Sequence, residues 1–120
     1  MASELPPQVQ NQIAQLQQVQ QQAQALSSQK AQVELMLREV EAALEELSKL
    51  PEDAVVYKSA GELLLRVDKP TSESELKERK ETLELRIKTI DRQLERVEKR
   101  FKELQEQIKR ALGSKRPVAE

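Results

Sequence analysis

The sequence predicts a mainly α fold, a long antiparallel two-helix coiled coil joined by one β-hairpin, and three observations predict it. Ala, Glu, Lys, Leu and Arg fill more than half of the 120 positions, the composition of long helices and coiled coils. Apolar residues return at alternating spacings of three and four through two long stretches, the pattern of a helical seam. Between them, residues 52–70 carry β-branched and contiguous apolar side chains around one glycine. Charged residues make up 34% of the chain and aromatics 2%, too polar a mixture for a broad globular core. The expectation is one domain over residues 1–120, with helices over 8–50 and 72–112, a hairpin over 52–70 and a flexible tail over 113–120.

The first helix is bounded by Pro6-Pro7 in front and Pro51 behind, since proline is tolerated at a helix start and disfavoured beyond its end. Its seam runs through Leu16, Val19, Ala23, Leu26, Lys30, Val33, Leu37, Val40, Leu44 and Leu47. Upstream, Val9, Ile13 and Leu16 keep apolar spacing, but two successive steps of three around Leu16 omit a residue from the repeat and overwind the pairing locally. The second helix repeats the behaviour through Leu76, Lys80, Leu83, Ile87, Ile90, Leu94, Val97, Phe101, Leu104, Ile108 and Ala111. Ser72 with Glu75 has the spacing of a capping box, and Gly113 is placed to end the helix. Glutamates four residues ahead of a base, as in Glu34–Arg38 and Glu95–Lys99, each add about 0.2–0.5 kcal/mol and describe a solvated outer face. Pairing Leu47 with Leu76 sets an antiparallel register in which Val40 meets Leu83, Leu26 meets Val97, Val19 meets Leu104 and small Ala23 falls opposite large Phe101.

Residues 55–58 (Val-Val-Tyr-Lys) and 63–67 (Leu-Leu-Leu-Arg-Val) form the two strands, with Gly61 left-handed in a bulged turn between them. Adjacent apolar residues put grease on both faces of this ribbon. An isolated hairpin is marginal in water. Covering three or four large side chains is worth about 1.5–3 kcal/mol each, a total comparable with the net stability of a small domain, about 5–15 kcal/mol. The strands are therefore expected to join strands of other subunits in a barrel, which also removes open edges. The alternative is a connector that packs only on its own helices. At the other end of the seam, Leu5 and Val9 are expected to project past the partner helix, in a glutamine-rich arm whose sole ionisable side chain before Lys30 is Glu4. The alternative there is a frayed helix end with scattered apolar residues.

Several functions fall away on composition. With no histidine and no cysteine, the chain lacks an imidazole base, a thiolate nucleophile and a soft metal site. Its two glycines, Gly61 and Gly113, are too far apart to cradle a phosphate. A net charge of −1 gives no electrostatic reason to bind nucleic acid. No apolar run suits a membrane span or a secretory signal. The chain is expected to be neither an enzyme nor dependent on a cofactor. A coiled-coil adaptor for a defined partner helix remains open, as does a nucleic-acid-binding arm resting on Lys109-Arg110 and Lys115-Arg116.

Two heptad helices around Asp53-Ala54-Val55-Val56-Tyr57-Lys58 leading into Gly61 closely resemble a β-type subunit of prefoldin. The opening Leu5-Pro6-Pro7-Gln8-Val9-Gln10 and the glutamine-rich run behind it resemble the archaeal members. The likeness covers residues 5–112, and the Val-Tyr-Lys hairpin is its most specific part. The resemblance implies a cytoplasmic hexamer of two α-type and four β-type subunits, its hairpins forming a double β-barrel from which coiled-coil arms hang. It implies an ATP-independent holdase whose arm tips grip unfolded polypeptides and pass them to a group II chaperonin. On this reading Val55, Val56, Tyr57, Leu63, Leu64, Leu65 and Val67 assemble the barrel. Leu5, Val9, Ile13 and Leu16, with Leu104, Ile108 and Leu112, supply apolar surface at the tip. The tail from Ser114 matches nothing characteristic of the family.

Overall fold

The computed structural model describes residues 5–115, and the chain runs as helix, strand, strand, helix: α1 (Pro7–Ser48), β1 (Val56–Ala60), β2 (Leu63–Val67) and α2 (Lys69–Lys115). Residues 116–120, the body of the expected tail, lie outside the described residues. The contacts divide the fold into two units. One holds residues 30–89, with the hairpin and the helical stretches flanking it; the other holds residues 5–29 and 90–115.

Helix α1 opens on Pro7, whose missing N–H is no loss in a first turn. That turn is tied by the Gln10 backbone N–H to the Pro6 carbonyl at 3.0 Å and by the Gln10 side-chain amide to the Leu5 carbonyl at 2.9 Å. At the other end, the Ser48 hydroxyl donates to the Glu45 carbonyl at 2.6 Å. The backbone N–H groups of Lys49 and Leu50 donate to Glu46 and Leu47 at 3.2 and 3.1 Å, a tightened last turn that satisfies carbonyls a helix end would leave bare.

Helix α2 begins three residues before the expected Ser72. Asp68 is its cap: the Thr71 backbone N–H donates to the Asp68 carboxylate at 2.8 Å, and the Ser72 N–H to the Asp68 carbonyl at 3.1 Å. Pro70 then falls inside the first turn, where its lack of an N–H is tolerated, so it does not delay the helix. Gly113 does not end α2 either. Of the two glycines only Gly61 has a positive φ, and the helix continues through Gly113 to Lys115, the last described residue.

Within residues 30–89 the seam buries Val33, Val40, Leu47 and Leu83. Between helices, Arg79 donates to the Met36 sulfur at 3.9 Å, and Lys80 extends its ammonium outward to within 3.6 Å of Glu41. In the other unit the seam buries Val9, Val19, Ile90 and Leu104, and Arg100 donates to the Gln15 side-chain oxygen at 3.3 Å. There Leu26 and Val97 line one surface hollow, and Ala23 and Phe101 another, as the large-against-small register requires. Among the described residues no helix is long and apolar enough to cross a membrane.

Candidate functional site

The ribbon is built from a strictly paired register: Val56 with Val67, Tyr57 with Arg66, Lys58 with Leu65, Ser59 with Leu64 and Ala60 with Leu63. Ala60 and Leu63 close the ladder around a two-residue loop, Gly61-Glu62, with Gly61 at φ 62°. The expected bulge is absent. Glycine in first place lets the loop take a primed turn whose twist already matches the strands, so no extra residue is needed. Val55 lies just ahead of β1 and is exposed.

Because opposite residues share a face, Val56, Lys58, Ala60, Leu63, Leu65 and Val67 stand on one side of the ribbon, and Tyr57, Ser59, Leu64 and Arg66 on the other. Val56 and Val67, nearest the helices, are half-buried. Farther out, Tyr57, Leu63, Leu64 and Leu65 are exposed, Leu64 at 71%. The ribbon is two strands wide, so each strand is an open edge. Apolar residues on both faces together with two open edges form a surface suited to strand addition.

At the root of the ribbon an open groove of about 720 Å³ is lined by Leu47, Leu50, Val56, Tyr57 and Leu76 among others. Two lysines tie this region. Lys58 meets Glu75 of α2 at 3.0 Å, with both side chains about half exposed. Lys69 is buried, and its ammonium donates to the Leu50 carbonyl at 2.7 Å, with Glu52 at 3.4 Å. Sequence reasoning passed over Lys69. The only signal available was a lysine wedged between a helix cap and a proline.

The second candidate surface lies in the unit of residues 5–29 and 90–115. The expectation that Val9 projects bare is corrected: it is 1% exposed, and Leu104 is 0% exposed. The reason is which part of α2 lies beside it: Gln107, Arg110 and Ala111, all within the expected helix, line a cavity of about 550 Å³ together with Pro6, Val9 and Gln12, so the pairing of the two helices still reaches Val9. Ile13, Leu16 and Ile108 are partly exposed seam residues, while Leu5 and Leu112 are the large apolar side chains left open here, each 37% exposed. Glutamines cover the outer surface of α1, and no ionisable side chain occurs from Leu5 to Gln29. Leu35 and Leu85, off the seam in the hairpin-bearing unit, are also exposed, singly, as scattered leucines on proteins often are.

Comparison with known proteins decides what these surfaces belong to. The family model described as prefoldin subunit matches residues 10–115. The chain belongs to the prefoldin family. Its β-type character follows from its relatives. The prefoldin subunit beta of Methanothrix thermoacetophila is 59% identical over 98% of this chain and 98% of its own length. That of Methanosarcina acetivorans is 63% identical over 96% and 98%. That of Archaeoglobus fulgidus is 52% identical over 92% and 95%. The crystal structure of the prefoldin beta subunit from Thermococcus strain KS-1 matches with a TM-score of 0.87 at 44% identity, covering 95% of this chain and 98% of that one. The two-helix, one-hairpin architecture is thus the prefoldin β fold. Prefoldin subunits are non-enzymatic chaperone components that associate with other prefoldin subunits, and this chain is one of them.

Proposed function

We propose that the chain is a holdase subunit that works without ATP, assembling through its hairpin and holding non-native polypeptides at the helix ends. The observation that carries the assembly half is the ribbon, with Tyr57, Leu63, Leu64 and Leu65 exposed across both faces and both edges open. Strands of neighbouring subunits would cover both features at once, with Val55 and the half-buried Val56 and Val67 completing the inner layer of a barrel. Following the family, the partners are α-type subunits and further β-type copies, in a hexamer of two and four, in the cytoplasm.

Client holding rests on Leu5 and Leu112, exposed, and on Ile13, Leu16 and Ile108, partly exposed, where the α1 side is made of uncharged glutamines and the α2 side carries Glu106, Lys109 and Arg110. The α1 side offers apolar contact and neutral hydrogen bonding with no charge pattern of its own to exclude one client in favour of another. Val9 and Leu104 support it from beneath, as the packed layer on which the exposed residues rest. Release then comes from competition or from folding of the client, and a group II chaperonin is the receiver that the family implies.

The test is suppression of aggregation of an unrelated denatured protein, without nucleotide, by the chain alone and mixed with an α-type prefoldin subunit. Suppression is expected in the mixture. Replacing the two open residues together, Leu5→Ser with Leu112→Ser, should weaken it severalfold while the helical circular dichroism is unchanged. Full suppression by that double variant would refute the assignment of the client surface. No suppression by the parent mixture would refute the holdase reading as a whole.

A further inference from the structure

Among the described residues Lys69 is the one charged side chain that is buried, at 5% exposure, and no part of the function proposed above uses it. Its position is costly. It opens α2, at the positive end of the helix dipole, where a cation is disfavoured, and burial removes the water that would solvate it. What holds it there is specific. The Leu50 carbonyl accepts from its ammonium at 2.7 Å, two residues past the end of α1 at Ser48, where a cation is favoured. Glu52 adds an acceptor at 3.4 Å from a largely exposed carboxylate. The bond closes residues 51–68, the whole ribbon, into a loop pinned at its two ends.

Apolar packing at the root does not by itself set how the ribbon leaves the helices. The groove of about 720 Å³ beside Val56 and Tyr57 is open, and Val56 and Val67 are only half-buried. The other tie, Lys58 to Glu75, is solvent-exposed and therefore weakly constraining. A short hydrogen bond from a buried ammonium is directional and little screened. We infer that Lys69 is a positioning residue for subunit assembly, its bond to the Leu50 carbonyl holding the ribbon at the angle from which Leu63, Leu64 and Leu65 meet neighbouring subunits. This inference rests on the proposed assembly through the hairpin.

The experiment mixes Lys69→Met, Lys69→Arg and Leu64→Asp chains with an α-type prefoldin subunit and measures complex formation by native mass spectrometry over a concentration series. Circular dichroism and amide hydrogen exchange are recorded on the same samples. Lys69→Met should assemble at least tenfold more weakly, with faster exchange over residues 56–67 and unchanged helicity, and Lys69→Arg should recover most of the loss. Assembly of Lys69→Met at parental concentrations overturns the inference. So does loss of assembly in step with loss of helicity, which makes Lys69 a folding residue. Leu64→Asp separates the two levels: if it too assembles normally, assembly through the ribbon is wrong; if it alone fails, only the role of Lys69 is.

Discussion

Asp68 shows how one side chain places an element. Its carboxylate accepts from Thr71 and so starts α2 ahead of Pro70, at a point where the capping-box spacing of Ser72 and Glu75 pointed three residues later. Both signals are genuine helix-start chemistry, and Asp68 prevails because proline two residues on is compatible with a first turn. Hydrogen bonds from Thr71, its side chain first and its backbone N–H second, hold the Asp68 carboxyl below the usual aspartate value. A carboxyl with a depressed folded pKa stabilises the fold above its unfolded value, and that contribution is lost as pH falls through the folded one. Asp68→Ala should therefore lower the melting temperature at neutral pH. The gap from the parent should close in acid, below the ordinary aspartate range, as thermal melts across a pH series would reveal. A gap that persists unchanged into strong acid would mean that the cap acts through something other than its charge.

At the level of elements, the ribbon and the helices obey different rules. The helices bury one stripe each, so a period read from the sequence identifies the buried residues directly: Val19, Val33, Val40, Leu47, Leu83, Ile90 and Leu104 are all seam positions, and all are buried. The ribbon has no buried stripe of its own. Its pairing is set by the Gly61-Glu62 loop, and its apolar residues fall on both faces because Leu63, Leu64 and Leu65 are consecutive. Leu64, standing with Tyr57 on the face opposite Val56, is the most exposed of the large apolar side chains. Leu64→Asp should leave helix content intact and shift the chain from oligomer towards monomer by sizing chromatography. Desolvating a carboxylate at a strand interface is unfavourable, whereas in a free ribbon it is harmless. An unaltered elution profile would count against assembly through the ribbon.

For the molecule as a whole, the balance lies between apolar surface that its own fold covers and surface that it does not. The seam satisfies itself, including Val9 at the chain's beginning. The ribbon does not, and each large side chain there gains about 1.5–3 kcal/mol on burial. On the function proposed above, oligomerisation comes first and client holding depends on it. A few partly open residues per subunit would make a weak site, and several copies acting on one unfolded chain would multiply the apparent affinity by about 10²–10⁴. Titrating a labelled unfolded protein against the assembled complex and against a monomeric Leu64→Asp chain should give a difference of that order. Equal affinity per subunit would show that holding does not need multiple sites.

The repeat in the sequence was enough to determine the two helices, their buried stripes and the single hairpin, because a period of three and four residues or a glycine between apolar runs acts locally and leaves few alternatives. The family was legible in the Val-Tyr-Lys segment for the same reason: it is contiguous. Tertiary structure alone decided three things. It buried Val9, because that depends on which α2 residues, here Gln107, Arg110 and Ala111, come to lie beside it. It gave the hairpin a tight two-residue loop in place of a bulge, because register is a property of two strands together. It brought the Lys69 ammonium to the Leu50 carbonyl, nineteen residues back along the chain. The first and last are contacts between distant parts of the sequence, the second a register that two strands set jointly, and a pattern read along the chain carries no record of either.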